Sequence, residues 1–250
     1  MNIIISNDDG ISSEGLYRLY LASKDLGKVI VVAPDRERST ISRALTMHRP
    51  FRVWKYHKFE NWYYTDATPV TCVYIGKDII LKKDKVDLIL SGINRGPNLG
   101  EDVNYSGTLA VASEAIFLNA SGIAFSLATF TNFNWDTAEK VARLILEKYK
   151  KYGLPKRVAL NVNIPNVDFK KIRGIKLTRL SKKKYHEGIV ERKDPWNRPY
   201  YWLGATTPDW ECEEGTDYWA IKNNFISITP ISLDITAYEH LETIKSYEEV

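Results

Sequence analysis

The chain is predicted to be an α/β protein, with a mostly parallel sheet covered by helices. Three observations predict it. Continuous apolar runs, NIIIS at Asn2–Ser6, KVIVVA at residues 28–33 and VDLIL at residues 86–90, have the character of strands buried on both faces. Segments of helical period alternate with them. Finally, each of these strands runs into a stretch rich in Asn, Asp, Ser or Gly. In such sheets ligands bind outside the carboxyl ends of the strands, so these three stretches are where a site is expected.

The elements follow in order. After the first strand, Leu16, Leu19, Tyr20, Ser23 and Leu26 fall on one helical stripe, with Ser12 or Ser13 as the cap and Gly27 as the stop. The second strand ends at Pro34-Asp35. Residues 51–56 and 62–66 have the polar-aromatic alternation of a hairpin. Thr68 caps a helix that has Pro69 at its first position and runs to about Leu81. The third strand leads into a Gly- and Asn-rich loop, and a helix extends from near Gly107 to near Asn119. A short strand spans residues 122–127. The helix over residues 136–152 has the clearest period, with Ala138, Val141, Ala142, Ile145 and Tyr149 on one face. Its expected capping box is Asp136 with Glu139, and Gly153 ends it.

Beyond Gly153 the pattern changes. Residues 157–164, 174–180 and 225–229 are predicted strands, and residues 234–247 a final helix. From about 180 to 215 a basic and aromatic stretch lacks any core-forming period and is expected to form a protruding hairpin arm. The chain thus divides into a core, residues 1–170, and an extension, residues 171–250, that carries the arm, a returning strand and the terminal helix.

Composition narrows the class. With 250 residues, 44% of them hydrophobic and 26% charged, the chain is expected to be a soluble globular protein rather than a disordered one. Two cysteines are too few for a disulfide framework, and no Cys/His spacing suits zinc. Neither a signal peptide nor an apolar stretch of membrane-spanning length is present, so a cytoplasmic location and no membrane partner are expected. A net charge of +4 suits anionic small molecules and does not by itself indicate nucleic acid.

The chemistry lies in the three strand-end stretches. Asn7-Asp8-Asp9-Gly10 follows the first strand directly. Its plainer interpretation is a turn. Two adjacent carboxylates at a site of limited exposure repel each other, however, and a hard divalent ion such as Mg²⁺ or Mn²⁺ relieves that repulsion. A phosphatase using an aspartyl nucleophile at position 7 is excluded, because Asn7 cannot serve. In the second stretch, Asp35-Arg36-Glu37-Arg38-Ser39-Thr40, the Ser39 hydroxyl can supply a neutral ligand and the arginines can attract phosphate, against the alternative of a solvated charged loop. In the third, residues 91–100, the Asn94 amide oxygen can complete a metal site, against the alternative of one more turn asparagine. Tyr105-Ser106-Gly107-Thr108 opens a helix whose N-terminus offers N–H groups and hydroxyls to a phosphate, with Ser106 otherwise a plain N-cap. His48 is a weaker candidate for acid–base work, and the run Lys182–Lys184 is read as part of a solvated arm.

The strings SNDDG, VVAPDRERS, TPVTCV, SGINRGPNLGEDVNYSGT and ISITP, spread from Ile3 to Pro230, closely resemble the survival protein SurE family. The resemblance implies a Rossmann-like core and a metal-dependent phosphatase that hydrolyses nucleoside 5'-monophosphates. It implies Asp8, Asp9, Ser39 and Asn94 as ligands to one divalent ion per subunit, and Asn98, Ser106, Gly107 and Thr108 as phosphate-binding residues. It also implies a homodimer or homotetramer with an exchanged C-terminal segment. The chain departs from the family pattern at Thr40, where glycine is usual after the loop serine, and at Ala67, where glycine is favoured before Thr-Pro.

The expected reaction is attack of water on a phosphomonoester, with Asp8 or Asp9 both holding the ion and orienting the water. Asn98, Ser106, Thr108 and the Gly107 N–H would stabilise charge on the transferring group. The rivals are a short-chain polyphosphate hydrolase, which the basic arm favours, and a nucleotide- or RNA-binding module without chemistry, with nucleic acid the weaker partner.

Overall fold

The computed structural model describes residues 1–82, 84–184, 188–203 and 209–248. Nine strands form one sheet in the order β3-β4-β2-β1-β5-β6-β7-β13-β8. They are β1 (Asn2–Ser6), β2 (Lys28–Pro34), β3 (Val53–Lys55), β4 (Trp62–Thr65), β5 (Leu88–Arg95), β6 (Ser121–Ala128), β7 (Ala159–Pro165), β8 (Ile175–Leu177) and β13 (Ile226–Ile231). Six of the neighbouring pairs are parallel; only β3 with β4 and β7 with β13 are antiparallel. The mostly parallel α/β fold expected from the apolar runs is therefore the fold observed.

Alternation along β1 explains why both faces carry helices. Ile3 and Ile5 belong to the core under helices α1 (Glu14–Ser23) and α4 (Trp135–Tyr152), together with Leu16, Leu19, Val141 and Ile145. Ile4 points the other way, into a second core with Val73 of α2 (Pro69–Tyr74) and Val111 and Ala115 of α3 (Gly107–Phe117). Burial on both sides of a strand requires a continuous apolar run, and that is what residues 3–5 supply.

Several boundaries differ from expectation, each for a physical reason. Ser13 caps α1, accepting from the Leu16 N–H, and the helix ends at Ser23, one turn short of Gly27. Thr68 precedes α2 without a side-chain cap bond, and the helix passes into a π-helical segment, Ile75–Ile80, rather than continuing as one α-helix to Leu81. The capping box assigned to Asp136 and Glu139 does not form. Asn134 caps α4 by accepting from the Thr137 N–H, and the two acids instead bind Arg18 of α1, at 2.8 and 3.2 Å. Cross-helix charge pairing thus outcompetes the local cap.

The third loop begins later than predicted. β5 runs on to Arg95, because after a register shift between Ser91 and Asn94 the ladder resumes with Asn94 opposite Ser126 and Arg95 opposite Leu127. Glycine and asparagine there mark a bulge, not the end of the strand.

Past residue 170 the chain still contributes to the main sheet, since β13 inserts between β7 and β8. Two short strands, β9 (Lys183–Lys184) and β12 (Asp209–Trp210), pair at the root of the arm. The arm itself is an antiparallel ribbon of β10 (Ile189–Lys193) and β11 (Pro199–Leu203). Helix α5 (Asp217–Lys222) leads back to β13. The helix predicted over residues 234–247 does not form; only short 3₁₀ turns occur, Tyr238–His240 and Lys245–Glu248. Ile235, Tyr238, Leu241, Ile244 and Tyr247 are all exposed there, and a short helix with no surface to pack on is marginal in water.

Candidate active site

The loops at the carboxyl edge of the sheet are built from local hydrogen bonds. Buried Asn7 closes the first turn: its amide donates to the Gly10 carbonyl and to Ser13 Oγ, and its carbonyl oxygen accepts from the Gly10 N–H. Gly10 has φ +97°, and a Cβ there would lie 3.0 Å from the Arg36 carbonyl carbon, so this turn requires glycine. Asn7 is thereby a structural residue that aims the two following carboxylates.

Asp8 is 5% exposed. Thr108 Oγ1 donates to its Oδ1 at 2.5 Å, and its backbone carbonyl accepts from the Arg38 N–H at 2.7 Å. Gly107 abuts the same carboxylate so closely that a Cβ would sit 2.8 Å from Asp8 Oδ2. Burial pushes the Asp8 carboxyl up to about 6, with the Thr108 hydrogen bond opposing and the Asp9 charge adding to the rise. Asp9 is raised too, again by burial, while the adjacent Arg95 guanidinium pulls it back down. Arg95 donates to Asp9 from its backbone N–H and its Nε, both at 3.3 Å, and reaches Glu37 Oε2 at 3.2 Å.

A cavity of about 790 Å³ is lined by Asp8, Asp9, Ser39, Asn94, Asn98 and Ser106. Three separate strand ends therefore converge, as the sheet rule requires. Asn94 donates its amide N–H to the Gly96 carbonyl at 3.0 Å, and its amide oxygen takes no hydrogen bond among the described residues. Ser39 donates to Glu37 Oε1 at 2.8 Å. Thr40 beside it has φ +59°, a left-handed conformation in which glycine, usual here in the family it resembles, is unstrained.

Asn98 is held from beneath. Its N–H donates to Asn163 Oδ1, its carbonyl accepts from the amides of Asn161 and Asn163, and its own amide donates to Ser126 Oγ. The Gly100 N–H donates to the buried Asp217 carboxylate, which also accepts from the N–H and hydroxyl of Ser181. One carboxylate thus pins the loop after Asn98 to the root of the arm. Ser106 Oγ caps α3 by accepting from the Leu109 N–H and still lines the cavity.

Two predicted phosphate-binding residues stand elsewhere. Gly107 and Thr108 lie under Asp8 rather than on the cavity wall, and the Thr108 hydroxyl proton is engaged by Asp8. Thr108, two residues past the cap, turns its hydroxyl to Asp8, which sequence order alone does not reveal.

Other cavity residues carried no assigned role. Glu37 and Arg95 were visible only as charged loop residues. Lys183, read as part of a solvated run, has a side chain only 10% exposed and pairs with Asp102 at 2.9 Å on the cavity wall. The signal available was weak, because burial of one lysine in three depends on how the arm folds back. Exposed His48 does not line the cavity, and His186 lies outside the described residues.

The donor set suits a hard cation. Two neighbouring carboxylates in a buried setting, joined by an unclaimed amide oxygen and a hydroxyl, are oxygen ligands of the kind Mg²⁺ and Mn²⁺ prefer. No group of three or more His, Cys, Asp or Glu side chains gathers for a metal among the described residues, so any such site relies on neutral oxygens.

The family model described as "Survival protein SurE" matches residues 3–187. The 5'-nucleotidase SurE of Aquifex aeolicus (strain VF5) is 44% identical over 248 residues, covering 98% of each chain. That of Vibrio vulnificus (strain CMCP6) is 41% identical over 247 residues, covering 99% of this chain and 95% of its own. The crystal structure of the SurE protein from Aquifex aeolicus superposes with a TM-score of 0.89 at 43% identity, over 100% of both chains.

Proposed function

The chain belongs to the survival protein SurE family, and on that footing we propose that it is a metal-dependent 5'-nucleotidase, hydrolysing nucleoside 5'-monophosphates to nucleoside and inorganic phosphate. One divalent ion per subunit, Mg²⁺ or Mn²⁺, is the proposed cofactor. The observation that carries this reading is the buried Asp8 carboxyl, raised to about 6, next to Asp9 on a cavity that also gathers the neutral oxygens of Ser39 and Asn94. Such a pair is costly without a cation between its oxygens.

Asp8, Asp9, Ser39 and Asn94 are the proposed ligands. When bound, the ion neutralises phosphoryl oxygens and favours ionisation of the attacking water. Asp8 and Asp9 orient that water, and Thr108 fixes the Asp8 rotamer through its hydroxyl. Asn98 and Ser106, the latter capping the 11-residue helix α3, line the cavity and are the groups proposed to stabilise charge on the phosphoryl group. Asn98 is suited to this because four hydrogen bonds hold it in place before substrate arrives.

Release of inorganic phosphate from AMP or GMP with Mg²⁺ or Mn²⁺ tests the proposal. Asp8→Asn and Asp9→Asn should each lower kcat by at least about a thousandfold while the far-ultraviolet dichroism is retained. Full turnover in either variant, or in chelator, would sink the metal reading. Lys183 on the cavity wall keeps hydrolysis of short polyphosphate as a second reading, addressed by comparing tripolyphosphate with AMP under the same conditions.

A homodimer or homotetramer is proposed as the working form. Supporting it, the arm exposes Ile189, Trp196, Tyr201, Trp202 and Leu203, and residues 235–247 expose a further apolar row. Among the described residues no helix is long and apolar enough to cross a membrane. A cytoplasmic location is proposed with that in view.

A further inference from the structure

We propose that Phe130, together with Tyr105, forms the platform on which the base of the nucleotide stacks, so that these two rings set selectivity for nucleotides over other phosphomonoesters. This rests on the nucleotidase reading above and names the part of the cavity that reads the base.

Phe130 follows β6 at the carboxyl edge of the sheet, in the segment between β6 and α4. It lines the same cavity as Asp8 and Asp9 yet is 59% exposed. A large apolar ring that is neither packed in a core nor isolated on a surface calls for an explanation when it borders a polar cavity. The Cε1–Cδ1 side of its ring lies against Gly96, where a Cβ would sit 3.1 Å from Phe130 Cε1 and 3.4 Å from Cδ1. The missing side chain at Gly96 lets the ring come close to the loop that carries Asn94 and Asn98. With 59% of the residue exposed, the ring keeps surface available to a ligand.

Tyr105 is 58% exposed and lines the cavity from the 3₁₀ turn directly before Ser106. The cavity lining thus combines carboxylates with aromatic rings. A nucleoside monophosphate combines the complementary groups, a phosphate and an aromatic base. At about 790 Å³ the cavity exceeds what a phosphate alone requires. Stacking on an aromatic face is tolerant of base identity, since every base offers a π-face. Broad acceptance of nucleotides, with purines favoured for their larger face, follows from it.

The test compares kcat/KM for AMP, UMP and ribose 5-phosphate, which keeps sugar and phosphate but lacks a base. Phe130→Leu retains apolar bulk without the π-face, and Phe130→Trp retains the face. The ratio of kcat/KM for AMP over ribose 5-phosphate should fall about tenfold in F130L, chiefly through KM, and recover in F130W. The fall should be smaller for UMP. A ratio unchanged in F130L, or reduced equally in F130W, overturns the platform while leaving the nucleotidase reading intact. A wild-type protein that hydrolyses ribose 5-phosphate but neither nucleotide overturns both.

Discussion

Removing the charge of Asp8 should stabilise the metal-free protein, and the gain should depend on pH in a defined way. Burial raises the Asp8 carboxyl from 3.8 to about 6 in the fold. In the unfolded chain the same group titrates near its ordinary value. Below about pH 4 it is protonated in both states and imposes no penalty. As pH rises from 4 to 6 the unfolded chain releases its proton first, and the fold loses stability progressively until its own carboxyl ionises. At about 1.4 kcal/mol per tenfold change in proton affinity, the accumulated loss is about 3 kcal/mol. Asn at position 8 keeps an oxygen for the Thr108 hydroxyl and carries no proton to lose. Urea denaturation of wild type and Asp8→Asn in chelator, at pH 4 and pH 7.5, should therefore give similar stabilities at the lower pH and an advantage to the variant of about 3 kcal/mol at the higher. Saturating Mn²⁺ at pH 7.5 should return much of the difference to the wild type and little to the variant. Parallel stability profiles for the two proteins in chelator would refute the burial argument, and with it the reason for expecting a cation there.

Two further predictions concern Thr108 and Thr40. Thr108→Val removes the hydroxyl that fixes Asp8; a charge-assisted hydrogen bond of about 2 kcal/mol corresponds to roughly a thirtyfold loss in kcat/KM. A change of less than about twofold, in kinetics at saturating metal, would show that Asp8 is positioned without it. Thr40→Gly relieves a β-branched residue at φ +59° and should stabilise the protein by about 1 kcal/mol, after allowance for the greater freedom of glycine in the unfolded chain. An unchanged or lower urea midpoint would contradict that.

Much of the fold was legible because it rests on patterns that act locally. A strand covered on both faces has to be apolar at every position, and residues 3–5 and 29–33 are. Helix α4 could be placed because its apolar stripe repeats at helical spacing over 18 residues. Its cap was misplaced because Asp136 and Glu139 answer to Arg18, over a hundred residues earlier in the chain. The terminal helix failed for a related reason: an apolar row specifies a helix only when something is there to cover it.

The candidate site divides along the same line. Asp8, Asp9, Ser39, Asn94, Asn98 and Ser106 were identifiable from strand ends and the strings around them, and all six line one cavity. Sequence alone thus determined the fold class, the family and which residues stand at the carboxyl edge, since each follows from contiguous residue types. Only the tertiary structure decided what those residues touch. It set Thr108 beneath Asp8, drew Lys183 from the arm to the cavity, and brought Phe130 against Gly96. The physical reason is that burial, and with it the raised carboxyl of Asp8, is produced by groups from α3, β5 and the loop after β2 closing around one point. No stretch of sequence records that closure.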